Sequence, residues 1–150
     1  MGTSGTSRRA LLAIGPVGAA GAALAGCEVY GGDSDSGTGS DQPAPTGAAG
    51  TVLANAADVP VGGGVIVDEF QVVVTQPTEG EFRGFSAICT HQGCTVAAVE
   101  EGTINCDCHG SRFSIEDGSV VRAASGLSPE DQDPLPEAEI VVNGDQVTFP

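Results

Sequence analysis

Two short segments hold most of the cysteine and all of the histidine in this chain. Residues 89–94 read Cys-Thr-His-Gln-Gly-Cys and residues 106–111 read Cys-Asp-Cys-His-Gly-Ser. Together they contain both histidines and four of the five cysteines. Scattered cysteines and histidines in a small domain more often form disulfides and exposed imidazoles. Their concentration in two segments favours a metal centre instead.

The spacing within the two segments bears on which metal they bind. A tetrahedral zinc site also takes two thiolates and two imidazoles, so zinc is the alternative. Zinc knuckles usually present Cys-x-x-Cys, whereas here one segment offers Cys-x-His and the other Cys-x-x-His. Each segment can therefore supply a cysteine to one metal and a histidine to another, which argues against zinc.

At these two segments the sequence resembles the Rieske iron–sulfur family. The family pattern, Cys-x-His-x-Gly-Cys with Cys-x-Cys-His-Gly-Ser, is matched in full, and the resemblance covers about residues 51–150. It implies one two-iron two-sulfur cluster, with Cys89 and Cys106 on one iron and His91 and His109 on the other. Exchanging two thiolates for neutral imidazoles makes the cluster less negative, so an electron is accepted more easily.

The resemblance also implies roles for neighbouring residues. Cys94 and Cys108 would form a disulfide between the segments, which is typical of the respiratory, cytochrome bc type. The Ser111 hydroxyl would donate to a cluster sulfide. Two departures from the family lie nearby: Phe113 stands where high-potential members carry a tyrosine, and residues 126–136, at the position of the family's Pro-rich loop, contain the acidic run Glu-Asp-Gln-Asp.

The first 50 residues read as an export signal and a tether. Residues 1–27 carry paired arginines, Arg8 and Arg9, an apolar run too short to span a membrane, and the sequence Leu-Ala-Gly-Cys. They resemble a twin-arginine signal with a lipoprotein box, in which Cys27 would be acylated; the alternative is an incidental cysteine in a cleaved or membrane segment. Residues 28–50 are rich in Gly, Ser, Asp and Pro, which predicts a flexible linker.

From Thr51 onward the pattern predicts a small antiparallel all-β domain, over residues 51–150. Short runs rich in Val and Ile alternate with Gly, Pro, Asn and Asp, and none has a sustained helical period. The Asn-Gly-Asp sequence at residues 143–145 predicts a hairpin turn. The predicted strands are residues 65–67, 70–75, 82–88, 103–106, 139–142 and 146–149.

Charge, length and motifs together argue against several classes of function. Five Lys and Arg against twenty Asp and Glu give a net charge of -15, so nucleic acid is excluded as a partner. A chain of 150 residues leaves no room for a second catalytic domain, such as that of a terminal oxygenase. No Ser-His-Asp order and no phosphate-binding Gly motif is evident, so the sequence indicates no catalytic site of its own.

The resemblance implies electron transfer, between quinol or a similar donor and a cytochrome. The protein would work on the outer face of the cytoplasmic membrane, held by its lipid anchor. An alternative is the small Rieske subunit of an exported molybdenum oxidoreductase, such as arsenite oxidase. A third is a stand-alone accessory carrier.

Overall fold

A computed structural model describes residues 42–150 of the chain. In this range the polypeptide forms ten strands and three short 3-10 turns, without an α-helix, and no helix there is long and apolar enough to cross a membrane. The strands are β1 (Val52–Asn55), β2 (Gly63–Val67), β3 (Val72–Thr78), β4 (Glu81–Ser86), β5 (Ala98–Glu100), β6 (Thr103–Asn105), β7 (Arg112–Ser114), β8 (Val120–Arg122), β9 (Val141–Asn143) and β10 (Gln146–Thr148).

The strands pair into three antiparallel sheets. The first has the order β1-β10-β9, so it joins the beginning and the end of the domain. The second is β2-β3-β4, and the third is the meander β5-β6-β7-β8. This arrangement confirms the predicted all-β antiparallel fold. The third sheet matters most for function, because both cysteine–histidine segments adjoin its strands.

Strand β3 lies between two hydrophobic cores. Val72, Val73, Val74 and Thr75 have no exposed surface. Because successive side chains of a strand point to opposite faces, Val73 packs into the core beside the cysteine–histidine segments, whereas Val72 and Val74 pack into a second core around Phe149. Burial on both faces explains why the first three residues of this strand are all valine rather than alternating with polar residues.

The predicted strands correspond to six of the ten described strands, with shifted ends. Strand β3, predicted to begin at Phe70, begins at Val72. Residues 68–70 form a 3-10 turn instead, which is followed by Gln71 in the left-handed conformation. The predicted hairpin turn is confirmed: Asn143 pairs with Gln146, and Gly144 has a φ of 60°. Four short strands, β1, β5, β7 and β8, were not predicted.

The described residues begin inside the predicted linker. Residues 42–50 form no strand, but they contact the domain: the Gln42 amide donates to Ser86 Oγ at 3.3 Å, and the Gly50 N–H donates to the Phe149 carbonyl at 3.0 Å. Contacts with the domain therefore begin ahead of the predicted boundary at Thr51. The predicted signal, Cys27 and linker residues 28–41 lie outside the described residues.

Candidate metal centre

The two cysteine–histidine segments are loops at neighbouring positions of the fold. The first, residues 89–94, lies between β4 and β5 and is closed by a bridge between Ile88 and Thr95. The second, residues 106–111, connects β6 to β7 within the third sheet. Strand pairing therefore fixes both ends of the second loop, and the Ile88–Thr95 bridge fixes both ends of the first.

Both loops have the same backbone hydrogen bonds. In the first, Cys89 N–H donates to the Cys94 carbonyl and Gly93 N–H donates to the Cys89 carbonyl. In the second, Cys106 N–H donates to the Ser111 carbonyl and Gly110 N–H donates to the Cys106 carbonyl. The two glycines have φ values of 73° and 79°, a left-handed conformation that side chains with a Cβ rarely adopt.

A disulfide between Cys94 and Cys108 joins the two loops, as the resemblance implied. Their Cα atoms are 6.6 Å apart, and 14 positions separate them in the sequence. Cys108 is exposed and Cys94 partly exposed, so the bond lies toward the surface. Cys89 and Cys106 remain free thiols, each with only 2% of its surface exposed.

The two histidine rings contact each other edge to face. The imidazole centroids of His91 and His109 are 4.6 Å apart, with their planes at 86°. Both residues are partly exposed, whereas the two free cysteines are buried. The His109 carbonyl accepts hydrogen bonds from the Ser125 N–H at 2.8 Å and from its hydroxyl at 3.1 Å, which hold the second loop against the segment after β8.

Two observations fit a metal cluster to these four side chains. Nδ1 of His91 is buried and has no hydrogen-bond partner, so this nitrogen is available to coordinate a metal. The pKa of the Cys106 thiol is raised, chiefly because the side chain is buried and also because the Cys89 thiol lies beside it. A raised pKa means that forming the thiolate is unfavourable. A metal offsets this cost, because it binds the thiolate and displaces the proton.

A second group of sulfur atoms lies close by but is less suited to a metal. The Sγ atoms of Cys94, Cys106 and Cys108 lie within 4.8 Å of one another. Cys94 and Cys108 share a disulfide, so only Cys106 can offer a thiolate. The resemblance implies a different donor set, the two free thiols and the two imidazoles, which lie on the same two loops.

Gln132 is a residue of the site that the sequence alone did not indicate. This side chain is only 7% exposed, and it lies within hydrogen-bond distance of Ser111 Oγ and Cys89 Sγ. Its only sequence signal is that it is the one uncharged side chain in residues 130–133, Glu-Asp-Gln-Asp. Ser111 is buried beside the loop, and Phe113 is buried in the same hydrophobic core as Cys89.

Comparison with known proteins identifies the family to which this centre belongs. Residues 50–129, more than half of the chain, match the Rieske [2Fe-2S] domain. The chain belongs to the Rieske family. Members of this family carry a two-iron two-sulfur cluster, which confirms the cofactor that the sequence predicted.

Several relatives of this Rieske domain are subunits of larger assemblies. The chloroplastic cytochrome b6-f complex iron-sulfur subunit of Chlamydomonas reinhardtii is 42% identical over 62 residues, which cover 41% of this chain and 30% of that protein. The Cyanothece cytochrome b6-f subunit is 38% identical over 79 residues, 52% of this chain and 40% of that protein. A Haloferax mediterranei protein named as a respiratory nitrate reductase Rieske subunit is 39% identical over 49 residues, 33% and 22% of the two chains. The chain spans less than half the length of these relatives.

Solved structures show the same fold at lower sequence identity. The plasma membrane Rieske protein PetC3 from Synechocystis PCC 6803 has a TM-score of 0.50 and 23% identity, covering 65% of this chain and 96% of that one. A naphthalene 1,2-dioxygenase mutant has a TM-score of 0.53 and 20% identity, covering 65% of this chain and 25% of that one. Because carriers and oxygenases share the fold, the fold alone does not assign a function.

Proposed function

We propose that this protein is an exported electron carrier in which Cys89, His91, Cys106 and His109 hold the cluster. The observation that carries the proposal is the division of the site into a buried thiol pair and a partly exposed imidazole pair. Side chains that reach the surface allow a redox partner to approach the centre closely. The buried sulfurs, within a hydrophobic core, are kept away from water.

The chemistry follows from the donor set. When bound, a two-iron two-sulfur cluster takes up and gives back one electron. Two histidine donors raise the potential of such a centre into the range of about -150 to +300 mV. That range is suited to a quinol or similar donor and a cytochrome acceptor.

The relatives and the charge support this choice of partners. The Chlamydomonas and Cyanothece proteins are subunits of cytochrome b6-f complexes. The net charge of -15 would speed the approach of a basic cytochrome at low ionic strength. Asp107, within the second loop, and Glu130 and Asp131 are exposed acidic residues that would contribute to this attraction.

We further propose that the carrier is attached to the outer face of the cytoplasmic membrane by acylation of Cys27. The Leu-Ala-Gly-Cys sequence supports this, together with the paired arginines before it. More than one acyl chain is needed for stable attachment, because a single chain binds only marginally. Residues 28–41 would then separate the lipid from the domain.

A second candidate function is the Rieske subunit of an exported oxidoreductase complex. The Haloferax relative, named as a subunit of a respiratory nitrate reductase, supports this candidate. In that case the electron would pass to or from a large catalytic subunit, as in the molybdenum enzymes suggested by the sequence. The cluster and its four donors would be the same.

Electron transfer can be tested with purified components. The reduced protein is mixed with oxidised cytochrome c in a stopped-flow instrument, and reduction of the cytochrome haem is followed by its absorbance as ionic strength is varied. We expect one electron per cluster and a rate that falls with salt. Cys89→Ser, which removes one proposed donor, is the control. A rate no faster than that of this control would refute the carrier role.

Partners distinguish the two candidates. The protein is isolated from membranes in mild detergent, and co-purifying chains are identified by mass. A cytochrome supports the quinol-to-cytochrome role, and a large oxidoreductase chain supports the subunit role.

A further inference from the structure

The acidic segment after β8 inserts one neutral side chain into the metal centre. Residues Pro129–Asp131 form a 3-10 turn whose side chains are not buried, and Gln132 follows with only 7% of its surface exposed. Its amide group contacts both loops of the centre. The hydrogen bonds of this amide determine which of its atoms faces the centre.

The orientation of the Gln132 amide is fixed by the backbone. The Ala124 N–H lies 2.7 Å from Gln132 Oε1. A backbone N–H can only donate, so the atom facing it must be the oxygen rather than the nitrogen. The NH₂ group therefore points to the opposite side, toward the centre.

Three acceptors surround that NH₂ group. Nε2 lies 3.0 Å from Ser111 Oγ, 3.4 Å from Thr90 Oγ1 and 3.9 Å from Cys89 Sγ. The Thr90 hydroxyl donates its proton to the Asp133 carbonyl at 2.7 Å, so toward Gln132 it can only accept. The two hydrogens of the NH₂ group are therefore shared among these three acceptors, and one of the acceptors, Cys89 Sγ, is a proposed cluster donor. The Ser111 hydroxyl also lies 3.3 Å from Gln132 Oε1, to which it can donate.

We propose that Gln132 is a positioning residue that raises the reduction potential of the centre by donating a hydrogen bond to Cys89 Sγ and by holding Ser111 beside it. The inference deepens the proposed function and depends on Cys89 being one of the four donors. It assigns a role to a segment that the sequence showed only as an acidic departure from the family.

The physical reason is a difference between the two oxidation states. Reduction adds one electron and breaks no bond, and it increases the negative charge carried by the sulfur atoms. A hydrogen bond to a sulfur ligand is stronger when that sulfur is more negative, so it favours the reduced state. Hydrogen bonds to the sulfurs are among the factors that set iron–sulfur potentials.

The test is the midpoint potential of Gln132→Met, measured by protein-film voltammetry on the cluster-loaded protein. Methionine is similar in length but has no N–H, so the packing is largely kept while the donor is lost. We expect the equilibrium constant for reduction to fall about tenfold, which lowers the midpoint by about 59 mV for one electron. The matched control is Gln146→Met, an exposed glutamine in β10, which should leave the potential unchanged.

Two further variants separate positioning from a purely structural role. Gln132→Glu keeps the side-chain length and the oxygen that accepts from Ala124. As a carboxylate it cannot donate, and its negative charge further disfavours the incoming electron, so its potential should lie below that of Gln132→Met. Ser111→Ala should have a smaller effect in the Gln132→Met background than alone, because the two residues share a hydrogen bond.

Each outcome is decisive. Both Gln132 variants at a lowered potential, with Gln146→Met unchanged, support the proposal. An unchanged potential in the loaded variants, even with a lower melting temperature, overturns it. Failure of both variants to hold a cluster while circular dichroism shows them folded also overturns it, because Gln132 would then be needed for assembly. Absence of a cluster from the unsubstituted protein would instead refute the proposed function.

Discussion

Cys94 and Cys108 are joined by a disulfide that connects the two loops of the metal centre, across a Cα separation of 6.6 Å. The bond lies at the surface side of the site, and the two free thiols lie beneath it in the core. The loops therefore have a covalent connection that does not involve the cluster.

We expect removal of this disulfide to destabilise the domain. Closing a loop of about fifteen residues stabilises a protein by about 3 kcal/mol in the chain-entropy model, so the Cys94→Ala/Cys108→Ala double variant should lose about that much unfolding free energy. Guanidinium unfolding followed by circular dichroism measures the loss. Cys27→Ser, which removes a cysteine outside the domain, serves as the control. An unchanged denaturation midpoint in the double variant would contradict the expectation.

The second prediction concerns the contents of the centre. Protein lacking residues 1–27 should contain two irons and two acid-labile sulfides, and its reduced form should give the low-average-g resonance of mixed histidine and cysteine coordination. His91→Ala and Cys106→Ala should each abolish both signals. Stoichiometric zinc without labile sulfide, after anaerobic preparation, would refute the assignment.

The third prediction concerns Phe113, which has no exposed surface and shares a core with Cys89 and Cys106. A tyrosine hydroxyl here could donate to a cysteine sulfur and favour the reduced state. Only the part of that bond that differs between oxidation states counts, about 1 to 1.5 kcal/mol, so Phe113→Tyr should raise the midpoint by about 40 to 65 mV.

Melting temperature is the second measurement for this variant. A hydroxyl that finds no partner in the core costs stability. An unchanged potential with a lowered melting temperature would mean that the ring edge points away from the sulfurs, and the tuning argument would then fail.

The fourth prediction concerns membrane attachment. Cys27→Ser should release the protein into the soluble fraction, because the proposed acylation site is lost and the apolar run of the predicted signal is too short to span. Membrane fractionation with immunodetection measures the release. The cluster spectrum of the released protein should be unchanged. A variant that stays membrane-bound with an uncleaved N-terminus would identify the segment as a signal anchor.

Local sequence was sufficient to predict much of the site. The two short segments held the cysteines and histidines together in sequence, and the family resemblance implied the Cys94–Cys108 disulfide that the structure contains. Gln132 could not be found in this way. Its contact with Cys89 spans 43 positions and depends on how the acidic segment folds back over the loops.

The fold was predictable where a strand is rich in valine, as β2 and β3 are, or lies beside a clear turn, as β9 and β10 do. β5, β7 and β8 have three residues each, and so few residues do not allow an alternation to be distinguished from chance. These strands are stable because they pair with neighbouring strands of the third sheet, a long-range condition that a sequence window does not contain.

Strand β3 has a consequence for how the domain unfolds. Because Val73 packs into one core and its neighbours Val72 and Val74 pack into the other, displacing this strand removes a side chain from both cores at once. The two halves are therefore thermodynamically coupled. Amide protons of β3 should exchange only through global unfolding. Thermal unfolding followed by the cluster absorbance and by far-ultraviolet circular dichroism should give coincident transitions.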